Sequence, residues 1–257
     1  MREFGAAAAA GFDAIEWIYD TWGEEVNPLS SDSGIRQIKN LARQNGVAVL
    51  SLCADYFMEQ PLIRVSPEER RNRIQHLRWL ISRCQLLGIG RIVLPFVDNS
   101  SIRTESEITE VAATLLELLP HSSEAGVEIH LETSLNASSF AVLLDKLPFP
   151  DIKVNYDTGN SASLGFDFRE EFSAYGSRIG SVHVKDRIRG GGTVPLGQGN
   201  ANLPGVLAGL RELGYYGDFI LQVTRGEAGR EVEWARHNRL ALMSHWHLAE
   251  MSGGVPQ

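Results

Sequence analysis

Four glycines punctuate this chain in the same way. Gly46, Gly88, Gly126 and Gly214 each follow a long stretch of helix-forming residues and stand just ahead of a short apolar run. A glycine at the end of a helix takes the left-handed conformation that closes it, without the steric cost a side chain would bring. A chain that repeats helix, glycine, strand is built of βα units, and right-handed crossovers assemble such units into a parallel sheet covered by helices. Parallel strands buried on both faces read as nearly continuous apolar runs. The runs here are Ala14–Ile18, Val47–Cys53, Arg91–Val97, Val127–Glu132, Lys153–Tyr156, Ile179–Val184 and Phe219–Val223. Between them the sequence predicts helices over Gly34–Gln44, Pro67–Leu87, Glu105–Glu124, Phe140–Leu147, Leu203–Leu213 and Glu231–Met251. A further helix over Ala6–Ala10 should stop at Gly11.

Composition narrows the class. The chain has 257 residues, 43% of them hydrophobic and 22% charged, and no linker or low-complexity stretch divides it. It reads as one domain over residues 1–257, long enough for an α/β barrel, which needs about 250 residues. Periodicity alone fits an open doubly wound sheet equally well. The dinucleotide-binding version loses support, because no Gly-x-Gly-x-x-Gly stands between an early strand and helix. The net charge of -8 argues against a nucleic-acid partner, while a few local Arg and Lys could still hold one phosphate. No apolar run approaches the roughly 18 residues of a membrane span. Cys53 and Cys84 have no zinc-type spacing and read as two reduced, buried thiols. The alanine run near the N-terminus is short for a signal peptide, so a cytoplasmic protein is expected.

Polar residues gather at the C-terminal ends of the predicted strands: Glu16, Asp55, Glu132, Asp157, His183 and Gln222. Functional groups of a barrel collect at that end. Taken singly, each has an ordinary reading. A His within a strand is often a satisfied core residue, Asp157 before Thr-Gly-Asn can make a turn, and a Glu at a strand end can pair with Arg. Together, Glu, Asp and His from separate strands form a ligand set suited to Mn²⁺, Mg²⁺, Co²⁺ or Zn²⁺. Trp17, Tyr56 and Phe57 lie where they could wall a substrate pocket or pack in the core. Gly190-Gly191-Gly192 with Arg187 and Arg189 reads as a phosphate loop, a lid or a connector. Asn200–Pro204 looks like a helix start with a polar cap. His245 and His247, two residues apart on one helix, do not share a face, so a surface or interface role is expected there.

The motifs carry a resemblance. Gly11-Phe12-Asp13-Ala14-Ile15-Glu16, Leu131-Glu132, Asp157-Thr158-Gly159-Asn160, Val182-His183-Val184-Lys185-Asp186 and Pro195-Leu196-Gly197-Gln198-Gly199 resemble the sugar phosphate isomerase/epimerase family of xylose-isomerase-like TIM barrels. The resemblance spans nearly the whole chain and does not identify the substrate. It implies a parallel (β/α) barrel with a divalent metal held by Glu132, Asp157, His183 and the residue at 222. In the epimerases of that family the last position is usually Glu, a ligand that is also one of two acid–base groups, and Glu132 matches the other. Gln222 can offer an oxygen to a cation but takes no proton at neutral pH. Family members also begin with a strand ahead of the first helix. None is found before Ala6–Ala10, so either the start of the chain is truncated or the barrel is open at one side.

These readings combine into an expected activity. The chain is a divalent-metal-dependent isomerase or epimerase of a small sugar or sugar phosphate, acting by proton transfer next to a carbonyl through a metal-stabilised enediolate. Glu132 is the expected base and Lys185 the support for a developing oxyanion. Glu16, Asp55, Arg187 and Trp17 are the expected substrate contacts. A metal-dependent dehydratase or lyase on the same fold and a non-catalytic sugar-binding protein are the alternatives. An endonuclease-like phosphodiesterase is disfavoured by the acidic balance. A homo-oligomer is compatible with the sequence and not specified by it.

Overall fold

The computed structural model describes residues 1–22 and 26–252. They divide into two compact units. One comprises Met1–Ala8, Asp13–Leu135 and Ser139–Lys153, the other Ala9–Phe12, Asn136–Ser138 and the chain from Val154 onward.

The first unit follows the repeating grammar. Helix α1 (Glu3–Ala10) leads into β1 (Ala14–Ile18), and α2 (Asp32–Asn45) into β2 (Ala48–Cys53). A single turn, α3 (Tyr56–Glu59), precedes α4 (Pro67–Leu87), which leads into β3 (Arg91–Phe96). Helix α5 (Glu105–Ala125) leads into β4 (Glu128–Thr133), and α6 (Ala137–Asp145) into β5 (Ile152–Asp157). Strands β1 to β4 pair in chain order, all in parallel. Gly46, Gly88 and Gly126 close their helices with φ of 64°, 89° and 66°, the left-handed geometry expected of them. Helix α4 starts where its sequence says it should. The Ser66 hydroxyl accepts from the Glu69 backbone N–H, the Glu69 carboxylate accepts from the Ser66 N–H, and Pro67 fills the first turn. Its Leu77, Leu80 and Ile81 are fully buried, as are Ile92 and Leu94 of β3. Each such side chain contributes about 1.5–3 kcal/mol by leaving water.

The second unit departs further from expectation. After β5 come two short helices absent from the sequence reading, α7 (Thr158–Leu164) and α8 (Phe168–Tyr175). Strand β6 (Ile179–Val184) is followed by a small antiparallel hairpin, β7 (Asp186–Arg187) and β8 (Thr193–Val194). Then come α9 (Leu203–Glu212), β9 (Phe219–Leu221) and α10 (Glu231–Ser252). Strands β5, β6 and β9 pair in that order and in parallel. Gly214 has φ 72°. Among the described residues no strand precedes α1, and no helix is long and apolar enough to cross a membrane.

One local expectation needs correction. Asn202 stands at the start of α9 but lies in the left-handed region (φ 44°), and its side chain caps nothing. Asn200 is the residue whose amide oxygen is used, accepting from the Arg189 N–H at 2.8 Å. On the last helix His245 is half-buried and His247 exposed, in keeping with the surface role expected there, while Trp246 between them packs against Phe219. Its ring centroid lies 5.0 Å from that of Phe219, and the Arg211 guanidinium sits 5.2 Å from it.

Ion pairing anchors the start of β4. Glu128 accepts from His130 Nε2 at 2.9 Å and from Lys153 Nζ at 2.7 Å. The His130 hydrogen bond, more than Lys153, holds the Glu128 carboxyl down at about 2 from the ordinary 4.5. Burial lowers His130 below its ordinary 6.5. In both cases the unfolded chain binds more protons than the folded one, so stability rises with pH. We expect acid to destabilise in two stages. The first lies below pH 6.5 as the unfolded chain takes up the His130 proton, and the second runs from about pH 4.5 down to 2 for Glu128. The Glu128 side chain is 37% exposed, so solvent screening limits its share to about 1 kcal/mol. Thermal melts of Glu128→Gln should flatten the lower stage and deepen the upper one, since the hydrogen bond and charge of Glu128 hold the His130 pKa up; an unchanged acid profile would show that the pairing contributes nothing.

Candidate metal centre

Register decides which side chains meet. Residues paired across a parallel ladder share a face, and faces alternate along each strand. In the first unit Glu16 pairs with Ser51, Cys53 with Val93, Val93 with His130, and Pro95 with Glu132. One face therefore carries Glu16, Ser51, Cys53, His130 and Glu132. The Ser51 hydroxyl donates to Glu16 Oε2 at 2.7 Å. The Cys53 thiol donates to Asp55 Oδ1 at 3.1 Å. Burial pushes that thiol well up, and the charges of Glu16, Asp55 and Glu132 push it further. Three of the expected site carboxylates thus surround one neutral thiol. Trp17 points to the opposite face. Its ring lies 6.5 Å from Phe4 of α1, and its Nε1 donates to Asn27 Oδ1 at 3.1 Å. That is the packing role, not the pocket wall. Tyr56 stacks on His76 at 4.5 Å, and Phe57 is buried.

In the second unit Asp157 pairs with His183, and His183 with Ile220. Gln222 lies just past the end of β9, and its N–H donates to the Val184 carbonyl at 3.0 Å. Asp157 does two things at once. Its Oδ1 caps α7, accepting from the N–H groups of Gly159 (2.9 Å) and Asn160 (2.8 Å). Its Oδ2 lies 2.8 Å from Lys185 Nζ and 3.9 Å from His183 Nδ1. Thr158 tethers the same helix to the end of β6, donating to the Lys185 carbonyl at 2.6 Å and accepting its N–H at 3.0 Å. Gly159 leaves room for the Lys185 stem, which a Cβ would meet at 2.2 Å. Asn160 accepts from Arg187 Nη1 at 2.8 Å. Every residue of Asp-Thr-Gly-Asn thereby has its own task.

Glu132, Asp157 and His183 are buried, and each offers a ligand atom within 4.8 Å of the others. Two carboxylates and an imidazole at that spacing form a donor set that fits a divalent cation. Lys185, read as an oxyanion support, is engaged first with Asp157. Arg187 is engaged with its own loop, donating from Nε and Nη2 to the Gly191 carbonyl at 3.2 and 2.9 Å. Asp186 was not singled out, although it stood in a quoted motif. It is buried and accepts three backbone N–H groups, from Gly197 and Gly199 at 2.9 Å each and from Ala201 at 3.0 Å. The glycine-rich run Pro195–Gly199 is thus a wrap around one carboxylate. The sequence signal for it is the Gly-x-Gly of Gly197 and Gly199 downstream of Asp186.

Comparison with known proteins agrees with this construction. Residues 4–243 match the family described as xylose isomerase-like TIM barrel. The L-ribulose-5-phosphate 3-epimerase UlaE of Salmonella paratyphi C (strain RKS4594) is 27% identical over 262 residues, covering 97% of this chain and 92% of its own. Among solved structures, an L-ribulose 3-epimerase superposes with a TM-score of 0.78 at 18% identity, covering 98% of this chain and 90% of its own. The IOLI protein, solved with a bound zinc atom, gives 0.80 at 17% identity, with coverage of 95% and 92%.

The crowding at Gly159 sets a test. Gly159→Ala must displace the Lys185 stem, and overpacking of this kind costs roughly 1–3 kcal/mol. We expect a lowered melting temperature together with a shifted Lys185 side chain in a crystal structure of the variant. A variant as stable as the parent, with Lys185 still against Asp157, would refute the account of this motif.

Proposed function

The chain belongs to the xylose isomerase-like TIM-barrel family, and from that premise we propose that it is a divalent-metal-dependent isomerase or epimerase of a small ketose or its phosphate. The observation that carries the reading is the buried triad of Glu132, Asp157 and His183. Two of the similar proteins are named for epimerisation at carbon 3 of L-ribulose or its 5-phosphate. A cytoplasmic setting suits the two buried, unbridged cysteines.

Glu132, Asp157 and His183 would hold the metal, with the Gln222 amide oxygen as a fourth donor. A bound divalent ion supplies polarisation of a carbonyl and its neighbouring hydroxyl, which lowers the barrier to removing the proton between them. Glu132 takes that proton and returns it. Asp157 is fixed in place by the helix it caps and by Lys185, so its Oδ2 holds one direction. Lys185 balances the Asp157 charge and lies close enough to help bear negative charge that develops on the substrate oxygen. Glu16, held by Ser51, and Asp55, held by Cys53, orient the substrate hydroxyls. Arg187 closes the neighbouring loop. Gln222 neither takes nor gives up a proton as an acid–base group at neutral pH, so a one-base shuttle through Glu132 favours aldose–ketose isomerisation over epimerisation, which needs proton delivery from the opposite face.

Solvent-deuterium incorporation next to the carbonyl tests this, using Mn²⁺-loaded protein with a panel of pentoses, hexoses and their phosphates. Glu132→Gln should lower exchange by about 10²–10⁴-fold, the usual worth of a positioned base. Gln222→Glu should keep or tighten Mn²⁺ binding and raise epimerisation relative to isomerisation. An active Glu132→Gln protein would mean that another group is the base. Loss of water or chain cleavage in the product mass would move the reading to a dehydratase or a lyase, and sugar binding without turnover to a binding protein.

A further inference from the structure

A cavity of about 420 Å³ lies beyond β9, lined by Gly226, Glu227, Arg230, Glu233, Trp234 and His237. None of these residues belongs to the proposed ligand set or its acid–base chemistry. All six lie in the second unit.

The cavity is built rather than incidental. Trp234 and His237, three residues apart on α10, stack with ring centroids 5.7 Å apart and planes at 18°. The Trp234 Nε1 donates to the Thr224 carbonyl at 2.7 Å, which fixes the orientation of the indole. The backbone at Gly226 lies against the same ring, where a Cβ would come within 2.6 Å of Trp234 Cγ. Arg230 donates through Nε and Nη2 to Glu233 Oε2 and lies 3.8 Å from Glu227. The lining therefore combines a rigid aromatic pair with alternating carboxylate and guanidinium groups.

That chemistry selects its ligand. A phosphate would meet two carboxylates for one guanidinium, the wrong balance for an anion. A purely apolar group would cover the rims of Glu227, Arg230 and Glu233, whose side chains are 77%, 63% and 61% exposed, and remove their water without replacing it. A neutral ring bearing hydroxyls on its rim and C–H groups on its faces satisfies both parts of the lining. Position adds the second constraint. Gln222 is tied to the end of β6, and Gly226 lies four residues further on, at most roughly 14 Å away along the chain. That limit keeps the cavity within reach of a ligand that extends beyond one ring from a reacting end beside His183 and Gln222.

We propose that the cavity after β9 is a subsite for a second, uncharged sugar ring, so that the preferred substrate is a glycosylated ketose rather than a free or phosphorylated one. The inference rests on the ketose reading above for the reacting end of the ligand.

Calorimetry and intrinsic tryptophan fluorescence with Mn²⁺-loaded protein test it directly. The probes are lactulose, turanose and isomaltulose, each a hexosyl-fructose with a free ketose, against D-fructose and D-fructose 6-phosphate. At least one disaccharide should bind about tenfold tighter than D-fructose, a difference of about 1.4 kcal/mol, and should perturb the tryptophan emission. Trp234→Leu should erase that preference and leave D-fructose affinity unchanged. Arg230→Ala, at a side chain 63% exposed, should weaken the preference in the same direction and provides the test if Trp234→Leu does not fold. Equal affinity for D-fructose and all three disaccharides, tighter binding of D-fructose 6-phosphate than of any disaccharide, or a preference that survives the folded variants would overturn the proposal. Binding is read without turnover, so absent deuterium exchange would count against the proposed reaction alone.

Discussion

The carboxylate of Asp157 is the joint on which the second unit is organised. One oxygen caps α7, and the other meets Lys185 and faces His183. A buried carboxylate is tolerated only when hydrogen bonds and an opposite charge replace the water it has lost. The helix N-terminus and the lysine do both, and they also restrict where Oδ2 can point. Behind α7 a second buried acid completes the framework. Glu171 of α8 accepts from Tyr156 of β5, from Ser161 of α7 and from Tyr175, and burial raises its pKa. The helix that Asp157 caps is thus fastened at both ends, by Asp157 and Thr158 in front and by Ser161 behind. Precision at a ligand position comes from such supporting bonds more than from the ligand itself.

The strands impose a second constraint. With a period of two, a strand that offers Glu132 to one face must offer every second residue to that face. In β4 this places Glu128 and His130 beneath Glu132, and in β6 it places Ser181 beneath His183. These inner positions are polar, and each finds a partner. Ser181 donates to Asn155 at 2.7 Å, and His130 pairs with Glu128 at 2.9 Å. The outward positions, Ile129 and Leu131 in β4 and Val182 and Val184 in β6, are buried and apolar. The hydrophobic stabilisation of these strands comes from their helix-facing side, which leaves the other side open to polar groups.

That division explains how much was legible in the sequence. Local rules fixed the helix ends, because a glycine in the left-handed region or a Ser-x-x-Glu box acts within a few residues. The parallel strands were legible because two-sided burial requires apolar runs. The short helices α7 and α8 were not, since seven or eight residues carry too little periodicity and their stability comes from Asp157 and Glu171 across the fold. The hairpin β7–β8 was hidden for a related reason. It is held by Asp186 gathering backbone groups up to fifteen residues away, and no local pattern reports such contacts. Trp17 shows the limit from the other side. Its place at a strand end was read correctly, but which face it took depended on the register of Glu16 with Ser51. The ligand triad was legible as residue types at strand ends; its convergence was not, because spacing along the chain carries no distance between strands.

The amide at position 222 connects these constraints to the proposed chemistry. Glu132 and Asp157 bring two negative charges, which match a divalent cation. A third carboxylate at 222 would leave the ligand set with an excess negative charge, and Lys185 beside Asp157 would cancel it. With Gln222 the excess is absent, and the lysine ammonium becomes a net positive charge beside the ligands. In a buried setting that charge acts over a short range with little screening. It would favour a substrate oxygen at the moment it becomes negative, and it would oppose the approach of a second cation. On this reading Gln222 and Lys185 form a compensating pair. With no second acid–base group at 222, the uncompensated charge of the Lys185–Asp157 pair would help stabilise the developing anion, which is the assistance a single-base proton shuttle through Glu132 would need.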